Sequence, residues 1–349
     1  MAMPHTIQWG ILGTGNIARQ FAEALRLLPD AGLRAVGSRS RGSADAFARA
    51  HGVARAYGSY EDLAKDPEVE VVYIATPHHL HKDNSLLCLE HGKAVLCEKP
   101  FTLDAQEGAL IAAKAREKGL FCMEAMWNRF VPIMRELDAR LAAGAIGDVR
   151  MLNASLGLPF AFNPQHRVFA PAMGGGALLD LGVYPVSFAL RLFGRPTRIT
   201  SHAVLGETGV DEQVSILLDF PEGRQATLGA SVRNRLQNDA AVLGTRGMLH
   251  LHEPLNCPET LTHVPTRAIG GADTPLQPPH TLTRKVLGNG YAHEAVEVMR
   301  CMREGLLESP LMTLQETLLI METMDAIQAA WRLSARTGCP SAGAAPGAG

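Results

Sequence analysis

A strand-like run, Ile7-Gln8-Trp9-Gly10-Ile11-Leu12, passes without a break into Gly13-Thr14-Gly15-Asn16-Ile17-Ala18. Beyond it Ile17, Phe21, Leu25 and Leu28 recur at spacings of four and three residues, which puts them on one face of a helix. A G-x-G-x-x-A sequence between a strand and a helix narrows the fold more than any other feature of the chain. Its first glycine permits a tight turn, and its second leaves room for a pyrophosphate at the positive end of the helix. The small third residue allows helix and strand to pack closely. Gly13, Thr14, Gly15, Asn16 and Ile17 are therefore expected to bind a dinucleotide.

The alternation continues. Further strands are expected at 33–38, 69–75, 94–98 and 120–124, with helices at 43–51, 82–91 and 103–118 between them. That order predicts an α/β chain whose first part is a doubly wound parallel sheet, a Rossmann domain over residues 1–126. Past Met126 the pattern changes to a helix at 132–143 and a strand at 148–158. After Gly174-Gly175-Gly176 comes a second helix running to Phe193. Residues 197–252 then read as consecutive strands with turns at Pro221-Glu222-Gly223 and Gly244-Thr245-Arg246-Gly247. Residues 127–340 are thus expected to form an α+β domain with a mostly antiparallel sheet. Within it, the Pro- and Thr-rich stretch 254–279 reads as a surface excursion, and two helices, 291–304 and 314–336, close the fold. The Ala/Gly/Pro tail, 341–349, is expected to be disordered.

With 33 basic against 35 acidic side chains, the chain lacks the basic excess of a dedicated nucleic-acid binder. No apolar run in the sequence approaches the roughly 20 residues that span a bilayer, and no signal peptide is expected ahead of the first strand. Six scattered cysteines without a C-x-x-C pair read as reduced thiols, and the expected location is the cytoplasm.

The end of the second strand bears on the choice of dinucleotide. NAD enzymes usually carry a carboxylate there for the ribose 2′-hydroxyl, whereas this chain has Ser38-Arg39-Ser40-Arg41. A guanidinium pairs well with a 2′-phosphate, so Ser38, Arg39 and Ser40 predict a preference for NADP(H) over NAD(H). The continuous apolar run Ala94-Val95-Leu96-Cys97 reads as a buried parallel strand that ends in Glu98-Lys99-Pro100. Ligands of doubly wound sheets bind at the carboxyl ends of strands, so Lys99 should enter the cleft.

Glu98-Lys99-Pro100, the loop Ala75-Thr76-Pro77-His78-His79-Leu80-His81 and the glycine fingerprint together resemble the Gfo/Idh/MocA oxidoreductases. The runs from Glu124 to Phe130 and from Gly174 to Pro185 are similar to one branch of that family, which holds the dihydrodiol dehydrogenases and NADP-dependent D-xylose 1-dehydrogenases. The resemblance implies that Thr76, Pro77, His78, His81 and Glu98 join Lys99 at the nicotinamide end. It also implies that Tyr184 is the acid/base and that Asp180 positions or polarises the substrate. Tyr184 replaces the His of much of the wider family. Asp180 and Tyr184, four apart on an expected helix, should reach the same cleft. A nearby Lys99 ammonium should lower the tyrosine's proton affinity, since a free tyrosine, with a pKa of about 10, is a poor base.

Trp127, Arg129, Phe160 and Arg167 are candidate substrate contacts, suited to a sugar-like or cyclic diol. His166, Tyr291 and His293 are weaker candidates. No carboxylate or cysteine beside the His-His-x-His cluster completes a metal-ligand set, so no metal is expected. The resemblance further implies a homodimer or higher homo-oligomer through the open face of the second sheet, and a last helix that returns to brace the first domain. The expected activity is NADP(H)-dependent hydride transfer to or from a CH–OH group. The alternatives are a ketosugar or 1,5-anhydrofructose reductase and a non-catalytic NADP-sensing regulator.

Overall fold

A computed structural model describes residues 5–267, 269 and 276–336. The tail 341–349 lies outside the described residues. The chain begins with alternating strands and helices: β1 (Ile7–Leu12), α1 (Asn16–Leu25), β2 (Ala31–Gly37), α2 (Arg41–His51), β3 (Arg55–Tyr57), α3 (Tyr60–Ala64), β4 (Val71–Ile74), α4 (His81–Glu90), β5 (Ala94–Glu98), α5 (Ala105–Lys118) and β6 (Cys122–Ala125). The six strands form one sheet in the order β3-β2-β1-β4-β5-β6, and every pairing is parallel. The order reverses between β2 and β4 on either side of β1, which leaves a crevice at the strands' carboxyl ends. The short β3 and α3 had no counterpart in the sequence reading.

Gly13 shows why the first turn demands glycine. Its φ is +107°, and a Cβ there would stand 2.5 Å from the Ala75 carbonyl oxygen. Under α1, Phe21 stacks on Tyr73 with ring centroids 3.7 Å apart and meets Trp9 edge-on at 5.3 Å. All three rings are fully buried.

The second part contains α6 (Pro132–Ala142), β7 (Val149–Gly157), α7 (Val183–Phe193), β8 (Arg198–Leu205), β9 (Asp211–Asp219), β10 (Gln225–Ser231), β11 (Ala240–Gly244), β12 (Gly247–Leu251), β13 (Thr260–Pro265), β14 (His280–Thr283), α8 (Ala292–Arg303) and α9 (Leu314–Arg336). Its eight strands run β14-β13-β12-β11-β7-β10-β9-β8, antiparallel except for the central β7–β10 pair. Burial alternates along β9 and β10, so one face of the sheet packs on α7 while the other carries exposed polar side chains. The expectation for 254–279 is corrected here. Its Thr-rich part is β13, paired with both β12 and β14, with Leu261 buried.

Against the expectation of no such run, the 23-residue segment Pro171–Phe193 is long and apolar enough to span a membrane, with a mean hydropathy of 1.3 over its most apolar 18 residues. It lies instead in the core of the second part, where it leads into and forms α7, and 83% of those 18 residues are buried within the protein. Finally α9 returns to the first sheet. Leu314 and Met321 pack with Ile111 and Cys122, while Ile320, Met324 and Ile327 join the core under the second sheet.

Candidate active site

The crevice at the end of the first sheet is a cleft of about 550 Å³. Gly13 through Ile17 line one end, where α1 starts, and Ser38 and Arg39 line its side. A Cβ built on Gly15 meets nothing within 4 Å, and α1 has neither a side-chain cap nor an acidic residue in its first turn. Its backbone N–H groups therefore face open space, a cradle that fits a pyrophosphate. Tyr60 stands beside Arg39 at the same wall. The Ser40 hydroxyl accepts from the Ser43 N–H at 3.4 Å and caps α2. Arg41 pairs with Asp45 at 2.9 Å.

Thr76, Pro77, His78 and His81 follow β4 into the cleft. His81 lies buried between the carbonyls of Thr76 and Pro100, at 2.9 and 2.8 Å. Burial pushes its imidazole below the usual range, so the neutral ring donates to one of them and ties the β4 loop to the β5 loop. His78 donates from Nδ1 to the Gly174 carbonyl at 3.0 Å, and burial pushes it down to about 3. Its Nε2 is therefore an acceptor, 3.9 Å from Asp180 Oδ1.

Lys99 leaves the end of β5 and donates from Nζ to the Asp180 carbonyl at 2.7 Å and to Asp180 Oδ1 at 3.2 Å. Arg167 clamps the same carboxylate from the other side, Nη1 to Oδ1 at 2.9 Å and Nη2 to Oδ2 at 3.3 Å. Burial alone would raise the proton affinity of Asp180. The charges of Lys99 and Arg167 outweigh it and hold the carboxyl well below its usual range. The helix carrying Asp180 is irregular: Leu178–Gly182 forms a wide π-type turn before α7 begins at Val183. Asp211 secures that start by accepting from the Leu178 N–H at 2.7 Å.

The buried Tyr184 hydroxyl accepts from Trp127 Nε1 at 2.7 Å, and the Trp127 ring stacks on Tyr291 with centroids 4.2 Å apart. Lys99 Nζ lies over the Tyr184 ring, 5.0 Å from its centroid, rather than on its hydroxyl. Burial, reinforced by the Glu98 charge, pushes the phenol well above its ordinary value. The expectation that Lys99 makes Tyr184 a ready base is therefore corrected. In this state the lysine is engaged by Asp180, and Tyr184 is a held acid.

Phe160 and Arg167 line the cleft as expected, together with Leu158, Leu181, Asn256, Tyr291 and Gln20. Trp127 sits behind Tyr184 rather than at the cleft wall. Arg129 is withdrawn from it altogether, because its guanidinium donates to Ser187 Oγ at 2.7 Å and pairs with Glu316 at 2.7 Å, locking α7 to α9. His166 packs against Phe169 and Phe160, and His293 Nε2 accepts from the Leu287 N–H at 3.0 Å. Neither belongs to the cleft lining. Of the residues not anticipated, Tyr60 follows a Ser59 cap that was a readable helix start. Asn256 and Gln20 had no local signal.

Comparison with known proteins identifies the family and the fold. The profile of a family described as "Oxidoreductase family, NAD-binding Rossmann fold" matches residues 7–126, and that of a "GFO/IDH/MocA C-terminal domain" matches 134–250. The chain is 41% identical over 331 residues to trans-1,2-dihydrobenzene-1,2-diol dehydrogenase of Sus scrofa, covering 93% of this chain and 96% of the relative. It is 39% identical over 330 residues to the Homo sapiens enzyme of the same name, with the same coverage. Among solved structures, a 3-ketoreductase from Actinomadura kijaniata in complex with NADP and TDP-benzene superposes with a TM-score of 0.82 at 25% identity, covering 93% of this chain and 98% of that one. An aldose-aldose oxidoreductase from Caulobacter crescentus shares the fold, with a TM-score of 0.83 at 22% identity and 95% and 98% coverage.

Proposed function

The chain belongs to the Gfo/Idh/MocA oxidoreductases, enzymes that act on CH–OH groups, and from that premise we propose that it interconverts a hydroxyl and a carbonyl on a cyclic diol or sugar-like substrate with NADP(H). The observation that carries the proposal is the meeting of Lys99, Asp180 and Tyr184 in the cleft whose far end is the glycine cradle. A bound nicotinamide dinucleotide supplies the hydride acceptor or donor. Gly13, Thr14, Gly15, Asn16 and Ile17 would hold its pyrophosphate, Ser38 and Arg39 its 2′-phosphate, and Thr76, Pro77, His78 and Glu98 its nicotinamide end.

In the reducing direction Tyr184 passes its phenolic proton to the substrate oxygen as hydride reaches the carbon. The Trp127 N–H then stabilises the phenolate left behind. In oxidation the phenolate takes the hydroxyl proton, hydride leaves the same carbon, and a carbonyl forms. Lys99 keeps Asp180 ionised and presents its ammonium to the substrate oxygen, while Arg167 and the His78 Nε2 acceptor face a neighbouring hydroxyl. Leu158, Phe160 and Tyr291 offer apolar surface to a ring. The names of the relatives favour a cyclic vicinal diol.

A second reading, a ketosugar reductase, is supported by Tyr184 itself, because a tyrosine held protonated suits carbonyl reduction. The polar outer face of the second sheet, with Asn153, Gln213, Ser215 and Thr227 exposed, suits a homodimer. The free thiols among the described cysteines suit a reducing, cytoplasmic setting.

The test follows dinucleotide reduction by absorbance over cyclic vicinal diols and aldoses, and reoxidation over cyclic ketoses, with NADP(H) and NAD(H) in parallel. Turnover of a diol or aldose with higher kcat/KM for NADP is expected. Tight NADPH binding with no turnover of any substrate would mark a sensor and overturn the proposal.

A further inference from the structure

Phe160 and Arg167 reach the cleft from the segment 158–170, which contains neither helix nor strand. Its two ends are fastened by backbone. The Leu158 and Phe160 N–H groups donate to the Ser231 and Val232 carbonyls at 3.0 and 2.9 Å, and the Gly176 N–H donates to the Val168 carbonyl at 2.9 Å. Between these points the chain arches, and its backbone hydrogen bonds are local. The N–H groups of Gln165 and His166 donate to the side-chain and main-chain oxygens of Asn163, each at 2.9 Å. On the cleft side the crest is held through Arg167, whose guanidinium Asp180 has to share with an incoming hydroxyl.

On the outer side a residue from elsewhere in the chain holds the arch. The Arg233 guanidinium, just beyond β10, stands over the Phe162 ring at 5.6 Å and over the Phe169 ring at 5.9 Å. The two rings meet edge-on at 5.2 Å. Phe169 is fully buried and Phe162 is 39% exposed, so the pair runs from the surface of the arch into the core. The guanidinium is itself aimed, because Arg233 Nε pairs with Glu212 Oε2 at 3.3 Å. Glu212 belongs to β9, which is paired on both sides, and its carbonyl accepts from the Val232 N–H at 2.9 Å. Arg233 is not part of the cleft lining.

We propose that Arg233 is a positioning residue for the substrate: by bracing Phe162 and Phe169 against β9, it holds the arch at the height from which Phe160 and Arg167 meet the substrate ring. A cation over two aromatic faces is attracted by each, and the ion pair with Glu212 fixes where it stands. Neither contact touches the cofactor or the reacting atoms. Loss of the brace therefore adds an ordering cost to substrate binding and leaves the step run by Lys99 and Tyr184 nearly unchanged. That kinetic consequence rests on the substrate reading given above, whereas the brace is a property of the ligand-free protein.

Arg233→Met keeps the apolar stem and removes the cation. In hydrogen exchange of the ligand-free full chain, the amides of Phe160, His166 and Phe169 are expected to exchange about tenfold faster than in the parent, the size of two cation–π contacts at a half-exposed site. Those of α1 and β9 should not change. An arch that exchanges as in the parent, or a gain spread equally over α1 and β9, overturns the proposal. With a substrate that turns over, KM is expected to rise about tenfold while kcat stays within about threefold and NADPH binds as before. Arg233→Lys, which keeps a cation near the rings, is expected to recover most of the lost KM. Equal KM in the lysine and methionine variants refutes the part played by charge. Should Arg233→Met fail to fold, Phe162→Leu carries the test at an exposed ring: the same local gain in exchange is expected, and parent-like exchange overturns the brace. Absence of turnover on every substrate would count against the proposed activity and leave the exchange result standing.

Discussion

Tyr184 keeps its proton because its hydroxyl is buried near a carboxylate, and Lys99 leaves it alone because Asp180 holds the ammonium. Substrate binding has to redistribute these contacts, with the substrate oxygen placed between Lys99 and Tyr184. Lys99→Met and Tyr184→Phe are each expected to lower kcat by about 10²–10⁴-fold, the usual range for a positioned acid/base. Both variants should still bind NADPH in a fluorescence titration, since the glycine cradle is untouched. Near-normal turnover in either one refutes the assignment. At this scale the sequence was informative where a residue's role is local. Gly13 and Gly15 announce themselves by spacing, and Lys99 by following an apolar strand. The engagement of Lys99 by Asp180, 81 residues away, was not readable, and neither was the retreat of Arg129 to Ser187 and Glu316. Both depend on how α7 and α9 pack, and a cation in a motif carries no sign of the carboxylate it will meet.

Among the elements, the turn entering α7 matters most for the site, because it aims Asp180 and Tyr184 together. Gly176 enters it at φ +124°, and a Cβ there would lie 2.2 Å from Asp211 Oδ1, the carboxylate that holds the Leu178 N–H. Gly176→Ala is therefore expected to cost about 2–4 kcal/mol of stability through strain and loss of that cap. It should also lower kcat more than it weakens NADPH binding. Denaturant unfolding beside steady-state kinetics checks this, and parent-like stability would show that the turn tolerates a side chain. β1 and β5 were readable to the residue, β1 because it runs straight into the glycine fingerprint and β5 because a continuous apolar run ends in Glu98-Lys99-Pro100. β3 was not, since Arg55–Tyr57 pairs at the edge of the sheet with no apolar pattern of its own. β13 was mistaken for loop because Thr and Pro dominate a strand whose side chains are mostly half-exposed.

For the whole molecule, the two sheets are less independent than a two-part sequence suggests. One continuous apolar core runs from Trp9 and Phe21 through Trp127 and Tyr184 to Leu249 and Ile327, and α9 touches both layers. Calorimetric unfolding is accordingly expected to show a single transition coincident with loss of near-ultraviolet circular dichroism. Two resolved transitions would mean that the halves fold separately. The parallel first sheet was legible from alternation alone. The β7–β10 parallel pair at the centre of an otherwise antiparallel sheet was not, because strand patterns carry no direction.

The hydrogen bond from His78 to the Gly174 carbonyl joins the loop after β4, at the cofactor end, to the segment that follows Phe160 and Arg167 at the substrate end. Whatever steadies one side of that bond steadies the other. With the proposed sites, substrate and dinucleotide are therefore expected to be coupled guests, and any factor by which one raises the protein's affinity for the second must be returned in full when the order of arrival is reversed.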